Sequence, residues 1–537
     1  MRLVPSDPRE NSCFTLISRW MDQCTKHSDC SPPVPVELPK RVIEIPVDPL
    51  ASPKLRMTNG ALGRYVILSH CWGTRGLTTL TNSLLPHYQE GIRPELLPNS
   101  FRDAIEITRR LGFQYLWIDA LCIIQNDAED WAEEAAKMAS YYGLSTLMIS
   151  ATAAEDSSRG ILKPRDALRS PILGIRKRFF LCQDLLRSGI EIDRSVLATR
   201  GWAAQERMLA PRVLHYTKQQ MIWECAEGLF CEAFSDTRVR SAARAGYCKA
   251  KCQQFVTEAL SQENTVPRYQ DHNAKMQKRS FESISLDRIE TWHQCVGMYS
   301  SRSLTVPTDK LHAIAGVARM LNHSGQLGGY LAGIWSMRLA VSLAWKKESE
   351  MLSSPPSYTA PSWSWAGVEG EVKCGFDYPQ TPCDDADKSW AKRWYPKLTE
   401  QHMILQNEHN IYGAVLEGSY ITVEGACLAL ADLGQFLREV DRIYSRNLPF
   451  HSHRILLDRE DWLYDPATYD CCMYLIGVPA HDGFIDLLLL SWLDREASVA
   501  QRVGIAEIRP RRVEEDREPL FSMFEAANWE RRTLKLV

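Results

Sequence analysis

RYVILSHCWG, residues 64–73, is the stretch on which the fold turns. Tyr65–Leu68 is a short apolar run rich in strand-forming residues, and it reads as a buried strand. The run ends abruptly in Ser69, His70, Cys71, Trp72 and Gly73. Open α/β sheets place ligands at the carboxyl ends of parallel strands, so this polar end is a candidate site. His70 and Cys71 do not read as a nucleophile pair, because adjacent strand residues point to opposite faces.

Outward from this strand the pattern repeats. NSFRDAIEITRRL at 99–111 reads as a helix with an Asn or Ser cap, ended by Gly112. YLWID at 115–119 is the next strand, and a strand, helix and strand in this order make a right-handed crossover with parallel strands. Asp119 at its end suits either a helix cap or a ligand contact. Asp127–Tyr142 is a second helix, with Trp131, Ala135, Met138 and Tyr142 as its core stripe and Glu133, Glu134 and Lys137 elsewhere. Ser145–Ala151 is a third strand. Residues 64–151 therefore read as β-α-β-α-β, a parallel open sheet with helices on its faces.

Residues 152–195 break the rhythm and read as an insertion. Arg165–Arg178 is basic, and a hairpin is expected around Phe179–Cys182 and Ile190–Ile192. TRGWAAQERMLAPRVL at 199–214 follows, a helix stopped by Pro211, with Trp202 and Glu206 four residues apart on one face. An aromatic plate beside a carboxylate can hold a flat cationic ligand. The same spacing equally describes a core tryptophan and a solvated glutamate. Val213–Thr217 and Gln220–Cys225 resume strand character.

Composition narrows the function classes. The chain has 537 residues, enough for more than one domain. A hydrophobic fraction of 45% and a charged fraction of 24% are those of a soluble globular protein. A net charge of −3 argues against bulk electrostatic binding of nucleic acid or anionic membrane. The start MRLVPSDPRENSCF has no basic end followed by an apolar run, so no secretory signal is expected. The longest apolar run, Ile485–Leu493, is too short to span a bilayer. The 16 cysteines are scattered, without paired CxxC spacing, which suits free thiols in a reducing cytoplasm. Cys24, His27 and Cys30 have ligand chemistry, but no fourth partner stands at usable spacing, so no metal is expected. No GK[ST] phosphate loop and no acidic metal cluster are present.

The flanks are less patterned. Asn11–Cys24 reads as a short amphipathic helix and Arg41–Val47 as an edge strand. Arg238–Leu286 is charged and helical in pattern, with its basic residues on a solvated face. Ile289–Met298, Asp309–Met320 and Tyr330–Trp345 read as further helices. Ser362–Gly367 (SWSWAG) alternates like a strand before a turn, with its tryptophans in packing roles. Glu369–Asp377, Tyr412–Leu428, Arg454–Leu457, Cys472–Val478, Ile485–Trp492 and Val503–Ile508 read as short strands of a β-rich region. Asp384–Lys397 and the charged run 509–519 read as exposed.

Three blocks stand in order: YVILSHCWG at 65–73, YLWIDALCIIQND at 115–127, and TRGWAAQERMLAPRVLHYTKQQMIWEC at 199–225. Together they resemble the heterokaryon-incompatibility (HET) domain family of filamentous fungi. Segments 299–316, 328–335 and 360–367 look like stretches that follow this domain in many such proteins. The resemblance implies a module of non-self recognition and programmed cell death, distantly similar to TIR domains. TIR domains have a flavodoxin-like parallel sheet, self-associate, and in several lineages cleave NAD. Carried over residue by residue, the pattern makes Glu206 the catalytic carboxylate, four residues after Trp202. Ser69, Trp72, Asp119, Arg200 and Trp202 become substrate-binding residues. No cofactor or metal is implied, and NAD enters as substrate. The expected division is an extension at 1–60, a TIR-like HET domain at 61–235, a helical segment at 236–367 packed on it, and a β-rich domain at 368–537. The insertion at 152–195 departs from the compact TIR pattern. The alternative reading is a non-catalytic, self-associating scaffold that recruits cell-death partners.

Overall fold

The computed structural model describes residues 4–73, 78–165, 189–239, 244–262, 281–348, 353, 355–374, 395–408, 410–429, 432–433, 435–436, 438, 453–458, 471–477, 485–508 and 527–537. Residues 166–188, 384–394 and 509–519, on which the basic stretch, the first hairpin strand and two polar runs were expected, lie outside the described residues. The chain divides into two compact units. The first comprises Met1–Ser280 with Gly316–Ser324, and the second Phe281–Ala315 with Gly325–Val537.

In the first unit the strands are β1 (Val36–Glu37), β2 (Arg41–Glu44), β3 (Lys54–Met57), β4 (Leu62–Gly63), β5 (Tyr65–Ser69) and β6 (Tyr115–Trp117). They continue with β7 (Leu147–Ser150), β8 (Arg212–Tyr216), β9 (Met221–Cys225), β10 (Gly228–Cys231) and β11 (Phe234–Val239). Nine of them form one sheet in the order β11-β10-β9-β8-β7-β5-β6-β2-β3. Its centre is parallel: β6 on β5, β5 on β7 and β7 on β8. The flanking pairs, β8–β9, β9–β10, β10–β11, β6–β2 and β2–β3, are antiparallel. The sheet is therefore mixed, and not parallel throughout as expected. The reason is connection length: β8 to β11 are joined by short turns, and only the central strands have helical crossovers. Helices Asn99–Arg110 and Ala128–Leu144 make the β5–β6 and β6–β7 crossovers. Every residue of β5, β7, β8 and β9 is buried, which explains why they read as unbroken apolar runs.

Several local expectations change in the folded unit. Arg41–Glu44 is not an edge strand; β3 lies outside it. Ile190–Ile192 is helical rather than extended. Trp131 is 39% exposed, whereas Asp130 and Glu134 are buried on the same helix. Asp130 is drawn inward by Arg41 Nη2, Lys40 Nζ at 3.0 Å and the Ile124 amide at 2.9 Å, and Glu134 accepts from the Tyr141 hydroxyl. Lys249, expected on a solvated face of the Arg244–Gln262 helix, is 1% exposed. Its Nζ donates to the carbonyls of Arg207 at 2.6 Å and Ala210 at 2.5 Å, and so terminates the Gly201–Leu209 helix where free carbonyls concentrate negative charge.

The second unit contains the Phe281–Ser300 helix and a hairpin of β12 (Tyr330–Leu331) and β13 (Ile334–Trp335). The single helix expected over Tyr330–Trp345 is interrupted here; only Leu339–Leu343 is helical. Ala332 and Gly333 take φ of 41° and 100°, which reverses the chain. A Cβ at Gly333 would stand 2.7 Å from Trp365 Nε1, so only glycine fits. The Trp292 and Trp365 indoles both donate to the Gly333 carbonyl, at 2.9 and 2.8 Å. Ser362–Gly367 is not a strand: Ser364 caps a 3₁₀ turn over Trp365–Gly367. Trp363 and Trp365 are packed in the core as expected.

Strand β14 (Lys346–Lys347) pairs with β15 (Val372–Lys373), and a larger sheet follows. It consists of β16 (Lys397–His402), β17 (Tyr420–Ala429), β18 (His453–Leu457), β19 (Cys471–Gly477), β20 (Ile485–Asp494), β21 (Val499–Ile508) and β22 (Glu530–Leu536). β17, β19, β20 and β21 pair in succession, and β22 joins β21 back to β17, closing a barrel. Closure pairs the edges that an open sheet would expose. The apolar run Ile485–Leu493 is thus a barrel strand. Among the described residues no helix is long and apolar enough to cross a membrane.

Arg502 is fully buried beside this barrel. It makes a two-point pair with Asp458, at 2.7 and 3.2 Å, donates to the Leu343 and Trp345 carbonyls, and lies 3.4 Å from the centre of a Trp345 ring. Asp458→Asn removes the charge from one side of this pair. It is expected to lower the stability of this unit by about 1.5–3 kcal/mol, measured by denaturant unfolding.

Candidate functional site

The carboxyl ends of the parallel strands converge on one row. Ser69 of β5 is in register with Ser150 of β7, which is in register with His215 of β8. Residues in register point to the same face. The Gly201–Leu209 helix brings Glu206 to this row, where the Ser69 hydroxyl donates to Glu206 Oε2 at 2.5 Å. The Tyr142 hydroxyl donates to the Leu68 carbonyl at 3.4 Å and lies in hydrogen-bonding reach of the same carboxylate. Glu206 is 5% exposed. Burial pushes its carboxyl up to about 7, the Asp119 charge adds to this, and Arg200, Ser69 and Tyr142 oppose it.

A second cluster adjoins the first. Trp72 Nε1 donates to Asp119 Oδ2 at 2.8 Å, and the Ala120 amide donates to Asp119 Oδ1 at 2.7 Å. Asp119 is the first residue of the short Asp119–Cys122 helix, and its carboxylate reaches Trp72 just beyond the end of β5. His70 Nδ1 lies 3.8 Å from Asp119 Oδ1, and Phe101 packs edge-on against the His70 ring. His70 Nε2 is buried without a hydrogen-bond partner among the described residues. Burial pulls His70 down to about 4, so the ring is neutral at pH 7. Arg200 Nη1 donates to the His70 carbonyl, which brings its guanidinium between the two clusters. Gly73, at φ +80°, turns the chain away; a Cβ there would meet Asp156 Cβ at 2.6 Å.

Ser69, Trp72, Asp119, Arg200 and Glu206 thus come from three separate segments to one edge of the sheet. Trp202 shares the helix of Glu206 but is partly exposed. Cys71 packs with Leu197 and Ala203, and burial pushes its thiol up, away from the reactive thiolate.

Sequence reasoning missed the support beneath this edge. Arg207, next to Glu206, makes a two-point pair with Glu224 at 2.8 and 2.9 Å and a third contact with Asp193 at 2.6 Å. Glu224 Oε2 also meets His215 Nε2 at 3.1 Å, and the chain of contacts continues through His215 Nδ1, Thr152 and Ser150. Burial alone would raise the Glu224 carboxyl, but Arg207 and His215 hold it well below its usual range. Charged residues inside an otherwise apolar strand, as in MIWEC at 221–225, are the one local sign of such a network.

The raised Glu206 carboxyl has a thermodynamic consequence. The folded chain holds its proton more tightly than the unfolded chain, whose carboxyl stays near 4.5. The resulting stabilisation is complete below pH 4.5 and is lost as pH rises through about 7. Glu206→Gln removes this dependence. The variant is expected to match the wild type near pH 4 and to exceed it by about 3 kcal/mol near pH 8. Denaturant midpoints at the two pH values test this; an equal difference at both contradicts it.

Residues 65–206 match the family model of heterokaryon incompatibility protein (HET). No curated protein matches the chain. No solved structure matches it either. The matched segment runs from the first residue of β5 to Glu206, so it begins and ends on the elements that build this site, and the chain carries a heterokaryon incompatibility (HET) domain.

Proposed function

We propose that this HET domain signals programmed cell death in non-self recognition by hydrolysing the bond between nicotinamide and ribose in NAD, with Glu206 as the catalytic carboxylate. The observation that carries the proposal is a buried carboxylate, bonded to Ser69, at the carboxyl ends of parallel strands. The spatial order β6-β5-β7-β8, second-first-third-fourth along the chain, supports the TIR-like reading.

In this reaction the C1′–N bond breaks and nicotinamide leaves neutral with the bonding pair. The positive charge passes to an oxocarbenium-like ribose. The Glu206 carboxylate stabilises that charge and takes the proton of the water that adds to C1′. Trp72 and Trp202 offer ring faces to the base or the nicotinamide. Ser69 binds a sugar or phosphate oxygen, and Arg200 pairs with phosphate. Self-association through the domain belongs to the same proposal, so the assay is run on assembled protein.

The test is NAD consumption by the purified full chain, wild type against Glu206→Gln, with nicotinamide and ADP-ribose as expected products. Intact NAD, together with undiminished toxicity of Glu206→Ala in cells, favours the scaffold reading instead.

A further inference from the structure

We propose that Cys24, His27, Cys30 and Cys225 form a tetrahedral zinc site that fastens the N-terminal helix to the β9–β10 hairpin. The ligand atoms of these four residues all lie within 4.8 Å of one another. Locally they read as C-x2-H-x2-C, one ligand short of a closed site. The fourth comes from a strand far along the chain.

Local structure explains the convergence. Cys24 is the last residue of the Asn11–Cys24 helix. The chain then tightens: Lys26 N donates to Gln23 O at 3.0 Å, and His27 N to Cys24 O at 3.3 Å. This turn brings His27 and Cys30 back over Cys24. Cys225 ends β9, immediately before the turn into β10. Phe230 of β10 stacks on the His27 ring, with centroids 5.7 Å apart and planes 15° from parallel, and fixes its orientation.

The distances suit the metal. His27 Nδ1 is 3.6 Å from both Cys30 Sγ and Cys225 Sγ. Zn–S bonds of about 2.3 Å and Zn–N bonds of about 2.0–2.1 Å at the tetrahedral angle give an S···N edge of about 3.6 Å. Three soft sulfurs and one imidazole are a zinc donor set, and four protein ligands make a closed structural site. A disulfide between any two of the cysteines would leave the third thiol facing it.

The surroundings suit the charge. Three thiolates around Zn²⁺ carry a net negative charge, and the buried Arg212 guanidinium is within electrostatic reach of Cys24. Arg212 Nε has no hydrogen-bond partner among the described residues. The Glu227 backbone N–H donates to Cys30 Sγ, a contact that orients and stabilises a metal-bound thiolate. Cys24, His27, Cys30 and Cys225 all lie outside the matched segment 65–206, and metal content reads this site without reference to the proposed reaction.

Metal analysis of the full chain, purified without chelator, tests the site. The expected content is about one zinc per chain in the wild type, falling to below about 0.2 in Cys225→Ser, because one lost ligand removes most of the affinity. Cys231→Ser alters a buried cysteine outside the cluster and should retain the full complement. If Cys225→Ser does not fold, Co²⁺ is titrated into chelator-treated wild-type chain. Intense tetrahedral d–d bands with a thiolate-to-cobalt charge-transfer band support the site. The weak spectrum of octahedral cobalt overturns it. Zinc-free wild type that takes up none from added Zn²⁺, or Cys225→Ser with undiminished zinc, also overturns it.

Discussion

Glu206→Gln is expected to lower the kcat of NAD cleavage by about 10²–10³-fold, with little change in KM. The substitution keeps the size of the side chain and leaves an oxygen to accept from the Ser69 hydroxyl, so the helix and strand should stay in place. What disappears is the negative charge that stabilises the ribosyl cation, an interaction made chiefly in the transition state. The wild-type profile supplies a second readout. The carboxylate is the working form, and burial pushes its carboxyl up to about 7. Activity should therefore rise about tenfold per pH unit below pH 7 and level off above it. A wild-type profile flat from pH 5 to 8 removes Glu206 from the chemistry, even if the variant is slow.

The largest stability effect should come from Glu224→Ala. Arg207 and Glu224 are both buried and joined at two points, and His215 leans on the same carboxylate. Removing Glu224 leaves the guanidinium with Asp193, which is part-exposed, as its remaining carboxylate partner among the described residues. Breaking a buried pair from one side costs about 3–5 kcal/mol, because the surviving charge stays desolvated. Arg207→Met in the Glu224→Ala background should recover part of that loss, since the unpaired charge is then gone. Denaturant unfolding of the two single variants and the double variant checks this. A cycle with no coupling shows that the pair does not act as one. Because Arg207 follows Glu206, this pair also fixes the rotation of the helix that presents the candidate carboxylate.

The strands and crossovers at the heart of the first unit were legible because each is short-range in origin. YVILS, LMIS and their neighbours are apolar on both faces, and their amphipathic helices repeat at the helical period. The Asn11–Cys24 helix falls on its expected bounds for the same reason. Ser69 and Asp119 stand at the carboxyl ends of strands that the apolar pattern itself marks. Arg200 and Glu206 join them as expected site residues through the resemblance of three blocks, since spacing alone left Trp202 as core and Glu206 as solvated.

What periodicity could not supply was the partner from far away. Trp131 stays outside because Lys40 and Arg41 draw Asp130 inward. Lys249 is buried because a helix C-terminus offers it two carbonyls. The Tyr330–Trp345 pattern is broken because Gly333 turns beneath two indoles. The barrel closes only when β22, at the chain's end, reaches β17. By itself the sequence determined which segments are buried strands and helices, because local apolar pattern sets local conformation. The tertiary structure decided which polar groups are desolvated and what pairs with them: Glu206 with Ser69, Glu224 with Arg207, and Cys225 with Cys24, His27 and Cys30. Those choices depend on charges and ligands brought together across the chain, and no local window contains them.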